Sequence, residues 1–240
     1  MKKYVLVTGA TSGIGKGVAQ SLSQNYNVIL HGRKTEELEI LSKELNGSLF
    51  WCYDLSQTDC ISDSLKEFMF QNDIVIEKFL HCAGIDNNLP VKSLKSDAIE
   101  ELMKVNFYSA VEIINTLLKR SVNQNELNNI LFISSISVLR GYKAKAAYSA
   151  SKAALDAYMK VLSLEVAPKI RVNSILPGAV KTKMTERSFE NEELVKHFKE
   201  IYPLGIGKIE QIVDIVEFYL SDKASWVTGQ QVVVDGGSLA

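Results

Sequence analysis

Cysteine is scarce in this chain: Cys52, Cys60 and Cys82 are the only three among 240 residues, with no Cys-x-x-Cys pair and no paired histidines beside them. That argues against a disulfide framework and against a metal site, and leaves free thiols in a reducing, cytoplasmic setting as the expectation. Long hydrophobic runs are absent too, so no membrane span is expected. The apolar start, Tyr4-Val5-Leu6-Val7, is too short for a secretory leader and runs straight into a glycine loop, so it reads as a strand. Neither sign of charge dominates: 27 basic and 28 acidic residues are scattered along the chain, net −1. Nothing in that balance suggests a nucleic-acid arm or a membrane-seeking face. Repeats, low-complexity tracts and linkers rich in Pro or Gly are all missing, and residues 1–240 read as a single domain.

What is present is alternation. The chain is 46% apolar, enough for a large core. Short β-rich runs at 4–8, 28–31, 49–52, 79–82, 130–134, 171–175 and 231–234 predict seven strands. Helical patterns fit between them at 15–24, 35–45, 58–70, 95–120, 148–166, 192–200 and 209–221. Such alternation predicts an α/β fold, a seven-stranded, mostly parallel sheet wound with helices on both faces.

The first strand leads into Thr8-Gly9-Ala10-Thr11-Ser12-Gly13-Ile14-Gly15, and a helical pattern follows. Glycines let the backbone turn sharply and approach a pyrophosphate, while helix N-terminal amides balance its charge. The spacing is neither Gly-x-Gly-x-x-Gly nor a P-loop, because Gly17 stands where a P-loop needs Ser or Thr. A tight turn that binds nothing is the plainer alternative. Enzymes that use NAD place an acid roughly 20 residues past such a loop. Here strand two ends His31-Gly32-Arg33-Lys34, with no acid, and Arg33 can pair with a 2′-phosphate. NADP is therefore the expected cofactor and NAD the alternative; a solvated basic turn would need neither.

Tyr148 and Lys152 stand at i and i+4, on one face of a helix, with Ser135 upstream. A Lys152 ammonium beside the phenol would favour its ionised form and lower its pKa towards neutrality. Such a phenol is a good general acid for a carbonyl that receives hydride. By residue type alone Ser134 and Ser137 compete with Ser135, and Tyr142 and Tyr158 lie near Tyr148. Asn106, in mid-helix, is unfavourable for propensity and suggests a specific task.

Together these residues resemble the short-chain dehydrogenase/reductase family over almost the whole chain, and the Rossmann-type, doubly wound fold is what that resemblance implies. Thr8–Gly15 resembles its glycine motif, and Asp54-Leu55 the pair whose carboxylate contacts adenine. Cys82-Ala83-Gly84 resembles the end of its Asn-Asn-Ala-Gly motif, from which His81 departs. Ser135, Tyr148 and Lys152 resemble its catalytic set, and Asn106 its proton-relay support. Pro177-Gly178-Ala179-Val180-Lys181-Thr182 resembles its Pro-Gly segment. By this resemblance Ser135, Tyr148, Lys152 and Asn106 are the expected catalytic residues. The expected cofactor contacts are Gly9, Thr11, Ser12, Gly13, Ile14, Gly15, Arg33, Asp54, Leu55, Ala83, Gly84, Tyr148, Lys152, Pro177, Gly178, Val180 and Thr182. No metal is expected, and a polar or satisfied structural part is expected of His81.

The resemblance further implies a homotetramer and a substrate lid at about 184–202, with Phe189, Leu194, Phe198 and Tyr202 as apolar anchors. The C-terminal part resembles the 3-oxoacyl-acyl-carrier-protein reductases of fatty acid metabolism, although Ile206 replaces the Arg usual there. The expected substrate is a small-molecule or acyl-thioester carbonyl compound, with an acyl carrier protein as the implied partner. Lys169, Arg171 and Arg120 are the candidate docking cations. A reductase of sugars or other small ketones is the alternative, and a dinucleotide sensor without turnover is the alternative of another class.

Overall fold

Strands in the middle of a parallel sheet are covered on both faces and read as unbroken apolar runs. In the computed structural model, which describes residues 2–240, β1 (Lys2–Thr8) and β4 (Ile74–His81) take these central places. Val5, Leu6 and Val7 are buried, as are Ile76, Phe79 and Leu80. With β2 (Asn27–Gly32), β3 (Leu49–Cys52), β5 (Asn129–Ile133), β6 (Arg171–Pro177) and β7 (Gln231–Val234) they form one sheet in the order β3-β2-β1-β4-β5-β6-β7. Every neighbouring pair is parallel, so the mostly parallel expectation is met in its fullest form.

Parallel neighbours need crossovers, and helices supply them. Since side chains alternate along a strand, each sheet face gathers its own core. On one face Leu6, Ile29, Phe79 and Phe132 pack against Leu65 of α3 (Ile61–Gln71), Ile113 of α5 (Ser109–Leu117) and Met159 of α7 (Ala146–Glu165). On the other, Val5, Val7, Leu30 and Leu131 meet Val18 of α1 (Gly13–Leu22), Leu38 of α2 (Thr35–Glu44) and Val216 of α10 (Ile209–Leu220). The winding leaves β1 between β2 and β4. The chain thus runs outward in both directions from their C-terminal ends, where a crevice opens.

Three local readings are corrected. The helix expected over 95–120 is α4 (Ser96–Met103), a π turn at Lys104–Tyr108 and α5, followed by the short α6 (Arg120–Asn123). The π turn inserts a residue where the Asn106 side chain is gripped from outside the helix. Strand β4 starts at Ile74 rather than residue 79, because its polar pair is accommodated. Lys78 lies 5.8 Å from the Tyr26 ring centroid, and Glu77 accepts from Asn128 Nδ2 at 3.0 Å. Between β6 and α10 a short helix, α8 (Glu186–Phe189), precedes the expected one, α9 (Glu192–Ile201).

Candidate active site

The glycine loop closes over the end of β1. Gly9 has φ +68°, and a Cβ there would meet Ala83 Cα at 2.9 Å; a Cβ on Gly15 would fall 2.2 Å from the Gly9 carbonyl oxygen. Only glycine fits at either position. Helix α1 follows with no side-chain cap on its N-terminus, and Ser12, Gly13, Ile14 and Gly15 line a cleft of about 940 Å³. Uncapped amides at the positive end of a helix, behind a glycine-rich loop, fit the pyrophosphate of a dinucleotide.

Two buried histidines brace this loop: His31, to which the sequence reading gave no task, and His81, of which it expected a polar or satisfied structural part. His31 Nδ1 accepts from the Gly9 amide at 3.4 Å and Nε2 faces the Tyr53 carbonyl at 3.1 Å, a pattern that places the proton on Nε2. Burial pushes its pKa down to about 4. His81 Nδ1 lies 3.0 Å from Thr8 Oγ1, which also accepts from the Ala83 amide at 3.2 Å. Burial, with the nearby Lys152 charge, pushes His81 down to about 3. Where the family motif has Asn, His81 thus acts as a structural support for the loop.

The chemical groups converge beyond Gly84. Ser135 follows β5, while Tyr148 and Lys152 project from the first turns of α7; all three line the cleft. Of the competing serines, Ser134 is engaged elsewhere, its Oγ donating to buried Asp156 at 2.8 Å. Ser135 Oγ accepts from the Ser137 amide at 3.1 Å, and its bond with Tyr148 favours the phenolate. Lys152 is buried, and its Nζ donates to the Ile133 carbonyl at 2.8 Å. Burial pushes its pKa down to about 8, against the pull of Cys82, Asp156 and Asp86. The sequence reading had Lys152 lowering the Tyr148 pKa. In the structure that pKa lies above the ordinary tyrosine value, because burial and the Asp86 charge outweigh the Ser135 bond.

Asn106 sits in the π turn, fully buried. Its Oδ1 accepts from Ile85 N at 2.8 Å, and its Nδ2 donates to Ile85 O at 3.0 Å and to Ser151 Oγ at 2.9 Å. All its side-chain bonds fasten the segment after β4 to α7. A Cβ on Gly84 would lie 3.4 Å from both Asn106 Oδ1 and Lys152 Nζ, so the two groups face each other across that glycine.

The other expected contacts divide in two. Pro177, Gly178, Val180 and Thr182 line the cleft with Ala83 and Gly84. The Thr182 amide donates to Thr185 Oγ1 at 2.9 Å, which in turn donates to the Val180 carbonyl at 2.7 Å, and Tyr202 Oη accepts from the Ala179 amide at 2.9 Å. Met184, Phe189, Leu194 and Phe198 form the wall beyond them. Thr11, Arg33, Asp54 and Leu55 lie apart from that cleft, about the ends of β2 and β3. Thr11 packs where a Gly32 Cβ would come within 2.8 Å of it. Arg33 is exposed, and Asp54 accepts from the Ser56 amide at 3.0 Å. Leu55 is buried in the core, so only its backbone is free to meet a ligand.

The sequence reading missed Asp86 and Lys145. They form an ion pair on the cleft wall, with side chains 9% and 24% exposed, and Lys145 Nζ lies 5.5 Å from the Tyr148 ring centroid. Neither belongs to a local pattern, since 59 residues separate them. No group of His, Cys, Asp and Glu able to hold a metal occurs among the described residues, and no helix among them is long and apolar enough to cross a membrane.

Cradle, cleft and a Ser-Tyr-Lys set at the end of a doubly wound sheet define a nicotinamide-dependent oxidoreductase. Comparison with known proteins agrees. A family model described as enoyl-(acyl carrier protein) reductase matches residues 9–238. The 3-oxoacyl-[acyl-carrier-protein] reductase FabG of Buchnera aphidicola subsp. Schizaphis graminum is 34% identical over 243 residues, 98% of this chain and 97% of that one. L-xylulose reductase of Bos taurus is 29% identical, over 99% of this chain and 97% of that one. Among solved structures, 4-hydroxyisoleucine dehydrogenase complexed with NADH superposes with a TM-score of 0.92 at 29% identity, covering 98% of both chains. The chain belongs to the short-chain dehydrogenase/reductase family, and it is an oxidoreductase that uses a nicotinamide dinucleotide.

Proposed function

We propose that the protein is an NADP(H)-dependent reductase that interconverts a ketone and its secondary alcohol. The observation that carries this reading is the meeting of Ser135, Tyr148 and Lys152 on the wall of a cleft that begins at the glycine cradle. When bound, the dinucleotide supplies the hydride. Gly9, Thr11, Ser12, Gly13, Ile14 and Gly15 would hold its pyrophosphate, with Asp54 and Leu55 at the adenine. Ala83, Gly84, Pro177, Gly178, Val180 and Thr182 would flank the nicotinamide half, and Tyr148 and Lys152 its ribose. Ser135 hydrogen-bonds the substrate carbonyl oxygen, a contact that strengthens as negative charge grows there. Tyr148, held protonated by its surroundings, gives that oxygen its proton. Lys152, shifted to about 8, can exchange a proton near neutral pH and restore Tyr148. Asn106 keeps the loop and α7 in register for this transfer. Residues 184–202 serve as a lid whose apolar side chains shut water out.

Preference for NADP rests on charge. Lys34 pairs with Glu37 at 2.9 Å, which leaves Arg33 without an ion-pair partner among the described residues. A 2′-phosphate supplies one.

The leading substrate is a 3-oxoacyl thioester, by likeness to the carrier-protein reductase. Of the docking cations, Arg120 and Lys169 are exposed, whereas Arg171 donates to the Ser221 carbonyl at 3.0 Å and is withdrawn. One observation favours the second reading, a small hydroxylated ketone: the charged Asp86–Lys145 wall suits hydroxyl groups better than an acyl chain. NADPH oxidation with acetoacetyl-coenzyme A, erythrulose and xylulose separates the two, and Tyr148→Phe is the control. Turnover that survives Tyr148→Phe would overturn the reductase mechanism. A homotetramer is proposed as the assembly, supported by exposed Val161 and Leu164 on α7 and by Trp226 and Val233 near the C-terminus. A monomeric mass by light scattering would refute it.

A further inference from the structure

The ion pair missed in the sequence lies beside the residue on which the proposed chemistry turns. Asp86 stands on the segment that leaves β4, and Lys145 directly precedes α7, three residues before Tyr148. Exposed ion pairs are loosely held and screened. This one is largely buried, and its cation stands 5.5 Å from the Tyr148 ring centroid. The carboxylate is also incompletely answered, for Asp86 Oδ1 is buried with no hydrogen-bond partner. A carboxylate whose charge is only half met locally acts on its neighbours, and its neighbour here is a phenol that would become an anion. Asp86 is moreover the single acid among the described residues that line the cleft.

We propose that the Asp86–Lys145 pair is an electrostatic setting for Tyr148: Asp86 holds the phenol protonated, Lys145 tempers that effect, and the pair fixes the pH range in which Tyr148 exchanges its proton. Both are positioning residues, because they act through Tyr148. The other titratable or polar groups on the cleft about Tyr148 are Cys82 after β4, Ser135 after β5 and Lys152 on its own helix. Arg140, Tyr142 and Lys143 lie on the segment before α7, Lys183 after β6, His197 on α9 and Tyr202 just after it. Ser135 favours the phenolate, while Asp86 opposes it, second only to burial. A mere clamp between the β4 segment and α7 would behave differently. Losing either partner would then loosen the site in the same way, whereas an electrostatic setting responds with opposite signs.

The inference rests on Tyr148 being the proton donor, but it can be tested without turnover. The full chain is made with ring-carbon-labelled tyrosine, its Tyr148 resonance is assigned by loss in Tyr148→Phe, and the phenol is titrated by NMR. In Asp86→Asn the midpoint should fall by about one pH unit or more relative to wild type. In Lys145→Met it should rise, or remain beyond the range in which the protein stays folded. The double variant should lie between the single ones. Asp86→Ser takes the place of Asp86→Asn if that variant does not fold. An unmoved midpoint in the Asp86 variants, or a downward shift in Lys145→Met as well as in Asp86→Asn, would overturn the proposal. Failure of every ketone in the turnover assay would count against the proposed activity and leave this titration readable.

Discussion

Asn106 Nδ2 donates to Ser151 Oγ at 2.9 Å, and Ser151 Oγ passes the connection on to the Tyr148 carbonyl at 2.8 Å. The π turn is thereby joined to the first turn of α7, with the Ile85 backbone held on the other side of the same amide. Asn106→Ala would remove three hydrogen bonds and strand both polar groups of Ile85. At roughly 1 kcal/mol for each bond, it should destabilise the fold by about 3 kcal/mol, and Ser151→Ala, which removes two, by about 2. Urea unfolding gives both values. Turnover should fall in Asn106→Ala by more than in Ser151→Ala, since only the former releases the Gly84 segment.

Arg33→Ala should weaken NADPH binding by tenfold or more, about 1.4 kcal/mol, and leave NADH binding unchanged. Fluorescence titration of both reduced cofactors measures this. Lys34→Ala should act in the same direction and less strongly, because it frees the Glu37 carboxylate, which Lys34 now holds below the usual range. Equal loss for both cofactors would place Arg33 outside the 2′-phosphate site.

The parts of this molecule that were legible in advance are local. Glycine spacing around Gly9–Gly15 and the i, i+4 placing of Tyr148 and Lys152 are short-range patterns whose geometry hardly depends on the rest of the chain. The parts that were not legible depend on partners far away in sequence. Apolar periodicity runs unbroken from Leu102 through Ile113, so nothing marks the π turn except Asn106, and its grip is on Ile85. Glu77 and Lys78 look like an interruption of β4 until Asn128 and Tyr26 are brought to them by the fold. The choice of Ser135 over Ser134 needs Asp156, which arrives from α7. The pKa of Tyr148 went astray for the same reason. A helix wheel contains Lys152, but it contains neither the Ile133 carbonyl that takes up its ammonium nor Asp86.

Gly15→Ala would drive a methyl to within 2.2 Å of the Gly9 carbonyl oxygen. Backbone would have to move, so a destabilisation of about 2–3 kcal/mol is expected, together with loss of measurable NADPH binding. Gly141→Ala is the matched control. A Cβ there meets nothing within 4 Å, and both stability and cofactor binding should stay at wild-type values. Calorimetry and the same fluorescence titration decide the comparison.

The two buried histidines set the response to acid. In the folded chain His31 and His81 are neutral down to about 4 and about 3. In the unfolded chain each takes up a proton near pH 6.5. Between these limits the unfolded state binds more protons, so stability is full above pH 6.5 and falls as the pH drops towards 4. For His31 the whole effect is on the order of 3 kcal/mol. His31→Gln, which cannot take up that proton, should flatten the slope of stability against pH between about 6.5 and 4 by roughly half, and His81→Asn should remove most of the remainder. Because His31 also accepts from the Gly9 amide, its protonation would break that bond, so NADPH affinity in wild type should hold through most of this interval and decline only as the pH approaches about 4. Urea midpoints collected across the interval test the stability claim. An unchanged slope in both variants would mean that some other group carries the acid sensitivity.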